Sequence, residues 1–490
     1  MAETDLLLGI DIGTSSSKGV LVSPAGEVLA RATRPHRTSY PHPGWAEHEA
    51  ESVWWADFVA ISRELVAAAD GRPLAGLAVS GIGPVLLPAD ADGRPLRPAI
   101  LYGVDTRATR EIDELTAELG ADAILARAGT ALSSQAVGPK WRWLARHEPE
   151  VYARTRLFLM ASSYLVHRLT GEYVLDHHSA SQCDPMYDLR AADWAHDWAE
   201  VVAPGIELPR LAWSTEVVGT VHAAAASVTG LPAGLPVAAG TVDAWAEAAS
   251  VGVTEPGDTM VMYGTTMFLV RVLASPSPHP ALWSTRGVGP GSYSMAAGMA
   301  TSGAITDWLR GLVDSEFAGL VAAAGQAPAG GNGLLLLPYF AGERTPLFDP
   351  DARGILAGLT TRHGIGEIYR AALEGIAYGV RHNLETMPGT GRLVAVGGGT
   401  QGGLWTQIVS DVTGLPQQIP AEKIGAALGD ALLAGIAVGA EPDITRWNPV
   451  RETVRPDPAA AEVYAEYYPR YRALYTATAD IAHFLAARQR

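Results

Sequence analysis

The chain has 490 residues, enough for two or three domains, since a single hydrophobic core stops growing at about 250–300 residues. Hydrophobic residues make up 48% of the chain and charged residues 18%, an ordinary globular balance that argues against extended disorder. The net charge of −16, without any run of Lys or Arg, excludes the basic surface that nucleic-acid binding requires.

The single cysteine, Cys183, excludes a disulfide framework and any metal site that needs clustered thiolates. The first residues are acidic and lead directly into a glycine-rich stretch, which is unlike a signal peptide. Gly, Pro or charged residues interrupt every apolar stretch before it reaches about 18 residues, the length that a membrane span needs. We therefore expect a cytoplasmic protein with neither membrane nor nucleic-acid partners.

The chain opens with a predicted β-meander. Residues 6–12 and 18–22 are apolar runs, residues 13–17 between them are small and polar, and residues 27–34 resume after a Pro-Ala-Gly turn. Short apolar runs separated by Gly, Ser and Pro are typical of strands joined by tight turns.

Helices alternate with strands along the remaining chain, which predicts an α/β fold. In the first half we expect helices over 52–69, 106–119, 140–147 and 161–169, and strands over 74–80, 99–101 and 236–239. In the second half we expect helices over 304–312, 365–386, 404–413 and 426–438, and strands over 259–263, 267–272, 334–337 and 393–396. Each half contains two apolar strands joined by a Gly/Ser/Thr loop, which suggests a duplicated architecture with domains 1–247 and 248–490.

The first candidate site follows the first strand and reads Asp11-Ile12-Gly13-Thr14-Ser15-Ser16-Ser17-Lys18. Small residues let the backbone approach a phosphate, and successive N–H groups in a tight turn form an anion-binding nest. A buried carboxylate at Asp11 is costly unless it serves a cation, and Mg²⁺ held through water is the natural use. The spacing is not that of a P-loop. An ordinary hairpin turn with a structural Asp is the alternative.

Two further glycine-rich loops follow strands in the second half. Gly264-Thr265-Thr266 mirrors the first loop, as expected if two hairpins hold a triphosphate, although most such triplets are ordinary turns. Residues 396–402, Val-Gly-Gly-Gly-Thr-Gln-Gly, precede a helix and suit contact with a flat ligand or a phosphate. They also satisfy G-x-G-x-x-G, with Glu422 about 20 residues further on, so a dinucleotide site is an alternative, as is a turn without ligand.

A fourth candidate is Asp243, which follows a small-residue strand near the predicted domain boundary. Phosphoryl transfer demands little covalent chemistry, and one carboxylate that accepts the proton of the acceptor hydroxyl is sufficient. Asp243 therefore suits a general base. Capping of the following helix is the alternative role.

Several motifs together carry a family resemblance. The most specific is Gly-Ile-Leu-Ala-Gly-Leu at 354–359, followed after seven residues by Glu-Ile-Tyr-Arg-Ala-Ala-Leu-Glu at 367–374. Others are Lys-Trp-Arg-Trp-Leu at 140–144 and the stretches 43–47, 105–107, 169–172 and 425–431. In this order they resemble the FGGY family of carbohydrate kinases nearly from end to end. The N-terminal signature of that family departs from this chain at Val137.

The resemblance implies an α/β fold of the actin/hexokinase type, with two ribonuclease-H-like domains flanking a catalytic cleft. It implies ATP and Mg²⁺ as cofactors, with Asp11 and Asp243 near the metal and Asp243 as the general base. Residues 1–247 would bind the sugar and residues 248–490 the nucleotide. The implied ATP contacts are Gly13, Thr14, Ser15, Lys18, Gly264, Thr265, Thr266, Gly303, Asp307, Gly398, Gly399 and Thr400.

Within the family, the chain is most similar to the members that phosphorylate xylulose. Those enzymes carry Gln-Met-His-Gly after an Ile-Ser-Gly strand, and the Met and His contact the sugar. Here Ser80-Gly81 is followed by Ile82-Gly83-Pro84, which offers no polar side chain, and polar groups carry much of the selectivity of such sites. We expect phosphorylation of D-xylulose to D-xylulose 5-phosphate, with another ketose or a polyol as the alternative. The expected sugar contacts are Trp45, Gly83, Tyr102, Asp105 and Asp243.

Two functions of other classes compete with this expectation. An NAD-dependent dehydrogenase could use residues 397–402, although a dinucleotide fingerprint this late in the chain leaves too little sequence for the strands that should follow. A non-catalytic sugar sensor of the same fold would not need to keep both Asp11 and Asp243. The family resemblance also makes a homodimer a possible assembly, although nothing in the sequence marks a dimer surface.

Overall fold

The structure is a computed structural model that describes residues 5–489. The chain forms two compact units, each assembled from more than one stretch. Unit 1 contains the described residues through 254 together with 274–294 and 424–449. Unit 2 contains 255–273, 295–423 and the described residues from 450 onward. The division into domains 1–247 and 248–490 stays a prediction, to which the structure adds that two stretches of the second half pack with unit 1.

Elements are numbered in chain order. The strands through residue 254 are β1 (Leu6–Ile12), β2 (Ser16–Val22), β3 (Val28–Pro35), β4 (Glu47–His48), β5 (Leu74–Gly81), β6 (Leu87–Ala89), β7 (Ala99–Ile100), β8 (Leu157–Leu159), β9 (Val174–Asp176), β10 (Tyr187–Asp188), β11 (Asp193–Trp194), β12 (Arg210–Ala212), β13 (Val217–Thr220), β14 (Pro236–Ala238) and β15 (Thr241–Val242). The helices there are α1 (Ala56–Ala68), α2 (Thr109–Leu119), α3 (Ala121–Ala128), α4 (Gly138–His147), α5 (Pro149–Arg154), α6 (Ala161–Thr170), α7 (His177–Ala180), α8 (His196–Val202), α9 (Ala223–Thr229) and α10 (Asp243–Ser250).

The later strands are β16 (Thr259–Tyr263), β17 (Met267–Leu273), β18 (Trp283–Arg286), β19 (Tyr293–Met299), β20 (Leu335–Leu337), β21 (Ile355–Ala357), β22 (Leu393–Val396), β23 (Gln417–Pro420) and β24 (Val450–Val454). The later helices are α11 (Gly303–Val313), α12 (Phe317–Gln326), α13 (Ile365–Thr386), α14 (Leu404–Thr413), α15 (Ala426–Ala437), α16 (Ile444–Trp447) and α17 (Pro458–Ala486). A 3₁₀ turn covers Gly398–Gly402.

The main sheet of unit 1 has the order β13-β14-β5-β1-β2-β3, with β15 also paired to β5. β1 and β2 form an antiparallel hairpin, and β1 and β15 both run parallel to β5. Every residue of β1 is buried, as is usual for a strand covered on both faces, whereas β3 alternates between buried or half-buried and exposed positions. The predicted meander at the start of the chain is confirmed.

Strand register in this sheet brings three chain segments to one edge. Asp11 pairs with Ser80, and Thr241 pairs with Ser80 from the other side. Because β1, β5 and β15 are parallel, their carboxyl ends meet at the same edge. Residues that follow any of these strands therefore lie close together in space, although more than 200 positions separate Asp11 from Asp243 in the sequence.

Unit 2 repeats this arrangement. Its sheet has the order β19-β17-β16-β22-β23-β24, in which β16 and β17 form an antiparallel hairpin and β16 runs parallel to β22. Met262 pairs with Val396, so the residues after β16 and those after β22 share one edge. The α/β class predicted from the alternation of elements is confirmed.

Helix α15 packs tightly on the sheet of unit 1 through glycines. A Cβ atom on Gly9 of β1 would lie 2.0 Å from Ala427 O, and one on Gly429 would lie 1.8 Å from Ala246 O of α10. No other residue fits at either contact, because both neighbours are backbone atoms. The glycines thus let α15 contact both the strand that carries Asp11 and the helix that begins at Asp243.

Some predicted boundaries differ from the structure. The helix expected over 52–69 begins as a π-helical turn, Ala50–Trp55, and becomes regular only at Ala56. The helix expected from 106 begins at Thr109, because the Asp105 carboxylate accepts the Arg107 N–H and Gly44 O accepts the Thr106 N–H. The long helix α17, in which the Asp457 side chain accepts the Ala459 N–H, was not predicted. Among the described residues, no helix is both long and apolar enough to cross a membrane.

We predict that Gly429→Ala destabilises the protein by about 1–3 kcal/mol, the usual cost of forcing an extra group into a packed core. The matched control is Gly325→Ala in α12, where a Cβ atom would meet nothing within 4 Å and alanine is the better helix former. Thermal melting should place Gly429→Ala below the wild type and Gly325→Ala at or above it. Equal melting of the three proteins would contradict the tight packing of α15.

Candidate active site

The loop that joins β1 to β2 turns its carbonyl groups toward the protein. The Gly13 N–H donates to Ser16 O at 3.1 Å, and the His36 N–H donates to Ser15 O at 3.0 Å. The His36 Nε2 atom lies 3.0 Å from Gly13 O. Within residues 5–489 no partner accepts the N–H of Thr14 or Ser15, and both residues are exposed. The loop therefore presents N–H groups outward, as an anion-binding nest does.

Asp11 precedes this loop and is only 6% exposed. The Ser80 hydroxyl oxygen lies 3.2 Å from its Oδ1 atom, and Lys18 is its cross-strand neighbour on β2. Burial raises the pKa of the Asp11 carboxyl to about 6, against the opposing effects of the Lys18 ammonium group, the Ser80 hydroxyl and His36. Asp11 thus has the burial and the position that were expected for it.

Asp243 is the first residue of α10, directly after β15. Its Oδ1 atom accepts the N–H of Ala244 at 2.7 Å, whereas the capping position of the helix belongs to Val242. Burial raises the pKa of the Asp243 carboxyl well above its ordinary range, and the negative charge of Asp11 raises it further. The two carboxylates are therefore electrostatic neighbours, as the parallel strands that carry them require.

Two further acidic residues, Asp430 and Glu247, lie close enough to Asp11 for its charge to raise their pKa values. The sequence did not predict a role for either of them. Asp430 of α15 accepts both the N–H and the hydroxyl of Ser80 through Oδ2, at 3.1 and 2.7 Å. Its Oδ1 atom is buried without a partner, and burial followed by the charge of Asp11 raises its pKa well above the usual range. Glu247, one turn after Asp243, has its pKa raised to about 7 by burial and by Asp11. The sequence signal that could have identified Asp430 is its position as the one carboxylate in the otherwise apolar helix α15.

These carboxylates fit a divalent cation. Burial of a carboxylate is unfavourable, and so is a like charge nearby. Burial raises the pKa of Asp11, and burial together with the charge of Asp11 raises that of Asp243. Within residues 5–489 no group of three or more His, Cys, Asp or Glu side chains is arranged to hold a metal ion. Mg²⁺ does not need such a group, because it usually keeps several waters and binds one or two carboxylates together with phosphate oxygens.

Two of the residues predicted to contact the sugar, Trp45 and Asp105, interact with other residues of unit 1. The Asp105 carboxylate accepts the Ala46 N–H at 2.8 Å and pairs with Arg107 at 2.7 Å, and its side chain is fully buried. The Arg107 guanidinium carbon lies 3.9 Å from the ring centroid of Trp45 and so covers one face of that ring. The sugar-binding roles of Trp45 and Asp105 stay predictions.

The other two expected contacts lie beside the residues already described. The Tyr102 hydroxyl is 3.4 Å from Thr14 Oγ1, next to the first loop. Gly83 faces Val242, where a Cβ atom on residue 83 would lie 2.7 Å from Val242 Cγ2. Since Val242 directly precedes Asp243, Gly83 lies behind the segment that carries the predicted base.

In unit 2, the loop between β16 and β17 has the same backbone polarity as the first loop. Gly264 O accepts the Gly303 N–H at 3.0 Å and the Ser302 hydroxyl at 2.9 Å, and Thr265 O accepts the Ser302 N–H at 3.0 Å. The Gly264 N–H donates to Thr266 O at 3.1 Å. No described residue accepts the N–H of Thr265 or Thr266, and both are exposed. Here the start of α11 binds the loop carbonyls.

The segment after β22 contacts the end of β16, as the parallel pairing requires. A Cβ atom on Gly397 would lie 2.5 Å from Tyr263 O, and one on Gly399 would lie 2.7 Å from the Trp405 ring. Gly398 is exposed, and a Cβ atom there would meet nothing within 4 Å. Gly398 is thus the glycine of this turn with open space above it.

The remaining predicted ATP contacts differ in exposure. Thr400 is buried and its hydroxyl donates to Gly397 O at 2.9 Å, whereas Asp307 is exposed and forms an ion pair with Arg310 at 2.9 Å. The ATP-binding roles of these residues stay predictions. After β22 and α14 only β23 continues the parallel pairing, and β24 is antiparallel. That topology does not support the dehydrogenase alternative, whose fold needs further parallel strands.

Two models of one protein family match most of the chain. The model of the FGGY family of carbohydrate kinases, N-terminal domain, matches residues 6–252, and that of its C-terminal domain matches residues 259–438. The chain belongs to the FGGY family of carbohydrate kinases. It is therefore an enzyme, a phosphotransferase that acts on a sugar hydroxyl with ATP as the donor.

Individual relatives match over most of their length. The chain is 32% identical to the xylulose kinase of Escherichia coli K12, covering 96% of this chain and 98% of that one. It is 32% identical to the glycerol kinase of Nocardia farcinica, over 88% and 89%. The crystal structure of xylulose kinase from Rhodospirillum rubrum matches with a TM-score of 0.91 and 36% identity, over 98% and 100%. The predicted fold class, α/β with ribonuclease-H-like domains of the actin/hexokinase type, is thereby confirmed.

We predict that Gly303→Ala raises the KM for ATP by about tenfold, because a Cβ atom there would lie 2.6 Å from Gly264 O and push the second loop away from α11. The matched control is Gly311→Ala on the same helix, where a Cβ atom would meet nothing within 4 Å. Steady-state kinetics should show the control within about twofold of the wild type. An unchanged KM in Gly303→Ala would contradict the role of α11 in holding the loop.

Proposed function

We propose that this enzyme phosphorylates D-xylulose with ATP to give D-xylulose 5-phosphate. The observation that carries the chemistry is the half-buried Asp243 carboxylate close to Asp11, at the ends of two strands that both run parallel to β5. The choice of sugar rests on relatives, since full-length matches at 32% and 36% identity are named xylulose kinases.

In the proposed mechanism Asp243 is the general base. As the acceptor hydroxyl attacks the γ-phosphorus of ATP, its proton passes to the Asp243 carboxylate and the bond to the β-phosphate oxygen breaks, releasing ADP. A carboxylate with a raised pKa is a better proton acceptor than an ordinary one, so burial and the charge of Asp11 suit Asp243 to the task. The transfer is direct and needs no phosphorylated enzyme.

Each of the two loops is proposed to contact phosphate groups of ATP. Each has two exposed N–H groups without a partner among residues 5–489, those of Thr14 and Ser15 and those of Thr265 and Thr266. Such groups are fixed before the substrate arrives, so they stabilise developing negative charge without reorganisation. The exposed turn at Gly398 is proposed to lie against the adenosine.

Mg²⁺ is proposed to bind near Asp11 and Asp243, where it would supply positive charge to the phosphate oxygens. Both carboxylates would then stay ionised despite burial, because an opposite charge nearby favours the charged form. The cytoplasmic location, the homodimer and the lack of nucleic-acid and membrane partners stay predictions from composition and family resemblance.

We predict that Asp243→Asn lowers kcat by 10²–10⁴-fold, roughly the contribution of a general base, while the affinity for ATP changes little. The comparison variant is Asp11→Asn, which should instead raise the Mg²⁺ concentration needed for half-maximal activity. Initial rates and isothermal titration with ATP distinguish the two effects. Turnover of Asp243→Asn near the wild-type rate would rule out the assignment of the base.

We predict that D-xylulose gives the highest kcat/KM in an assay of ADP release across pentuloses, hexuloses and polyols. Asp243→Asn serves as the blank for hydrolysis of ATP without transfer. Glycerol is the informative competitor, because a glycerol kinase matches at 32% identity and residues 81–84 offer no polar side chain to a longer sugar. A higher kcat/KM for glycerol or another polyol would reassign the substrate and leave the kinase chemistry intact.

A further inference from the structure

The side chain of His36 lies between two acceptor atoms beside the first loop. Its Nε2 atom is 3.0 Å from Gly13 O, and its Nδ1 atom is 2.9 Å from Asp57 Oδ2. A carbonyl oxygen and a carboxylate oxygen can only accept, so both bonds form when both ring nitrogens carry a hydrogen. The side chain is 6% exposed, and water therefore contributes little to satisfying these atoms.

Asp57 is itself held in place from the sheet. The hydroxyl of Ser17, on β2, donates to Asp57 Oδ2 at 2.8 Å, and Asp57 belongs to the first turn of α1. The ring of His36 thus bridges α1 to the loop, with one bond to each. A donor and an acceptor that are both ionised form a stronger bond than neutral groups do.

The residues after β3 bind all three carbonyl oxygens of the loop. His36 supplies the Nε2–H bond to Gly13 O and the backbone N–H bond to Ser15 O, and the hydroxyl of Thr38 lies 3.4 Å from Thr14 O. In unit 2 the start of α11 binds the loop carbonyls, and among the described residues no side-chain cation contributes there. Of the two loops, as far as residues 5–489 show, the first is the one held by an imidazole.

We propose that His36 is a positioning residue for the phosphates of ATP. Its Nε2–H holds the Gly13 carbonyl away from the phosphate, so that the N–H groups of Thr14 and Ser15 face outward. Without that bond, the peptide after Gly13 is free to rotate and present its oxygen to the anion. The inference rests on the proposed function, since it assigns the first loop to ATP.

The test compares His36→Phe, which fills the space without a donor, with His36→Gln, whose amide can still donate to Gly13 O. The control is Arg34→Gln near the end of β3, which removes the surface pair with Glu64 and a bond from the guanidinium group to Thr33 O. Titration calorimetry with MgATP should give His36→Phe an affinity about tenfold weaker than the wild type, with His36→Gln intermediate and Arg34→Gln unchanged. The KM for the sugar should stay within about twofold. The number of MgATP sites per chain should equal that of the wild type, whereas partial unfolding would lower it.

Nuclear magnetic resonance of the ¹⁵N-labelled wild type gives a readout that does not depend on activity. Long-range ¹H–¹⁵N spectra should show hydrogens on both ring nitrogens of His36, assigned by their absence in His36→Gln. A bare nitrogen, or equal MgATP affinity of the wild type and His36→Phe, would overturn the role of His36. Failure of the wild type itself to bind MgATP would instead contradict the proposed function.

Discussion

The ability of each predicted phosphate loop to bind an anion depends on the hydrogen bonds that hold its backbone carbonyl groups inward. A loop that binds anions must direct N–H groups outward, and its carbonyl oxygens must then find donors inside, because buried backbone groups left unpaired are costly. In the first loop His36 binds Gly13 O and Ser15 O, and in the second Ser302 and Gly303 bind Gly264 O. One solution uses a side chain and the other a helix start, yet both leave two consecutive N–H groups exposed. The polarity of the loops therefore comes from neighbouring elements as much as from the small residues in the loops themselves.

The acidic residues Asp11, Asp243 and Asp430 of unit 1 lower the free energy of unfolding, because their charges are largely removed from water. Asp11 and Asp430 are buried and Asp243 is half-buried, and burial raises the pKa of all three. The negative charge of Asp11 raises the pKa of Asp243 and of Asp430 further. Removing charges from water is costly unless they are paired, protonated or close to a cation. The fold brings them together through parallel strands and through the glycine contacts of α15, which admit no side chain. A bound ligand that carries positive charge would offset this unfavourable energy by stabilising the ionised carboxylates. The ligand proposed here is a metal-bound nucleotide.

Local patterns predicted the elements well and the contacts between distant elements poorly. Both hairpins, with their Gly/Thr loops, follow from apolar runs broken by small residues, and the helix Ile365–Thr386 was predicted with its exact bounds because its periodicity is long and uninterrupted. The positions of Asp430 and His36 were not predictable in this way. Ser80 and Asp430 are 350 positions apart, and only strand register and helix packing bring them into contact. His36 lies after an unremarkable edge strand, and its role depends on a carbonyl oxygen that no sequence pattern reveals.

The close contact between Gly83 and Val242 limits which side chains residue 83 can carry near the predicted sugar site. Xylulose-phosphorylating relatives were expected to use polar side chains after the β5 strand, whereas this chain has Ile82, Gly83 and Pro84 there. A side chain at residue 83 would begin 2.7 Å from Val242, so it would displace the segment that carries Asp243. The Met that those relatives have in place of Gly83 would therefore disturb the segment that carries the predicted base. We expect selectivity to come instead from backbone groups and from side chains on other segments, such as Tyr102, whose hydroxyl is 3.4 Å from Thr14 Oγ1.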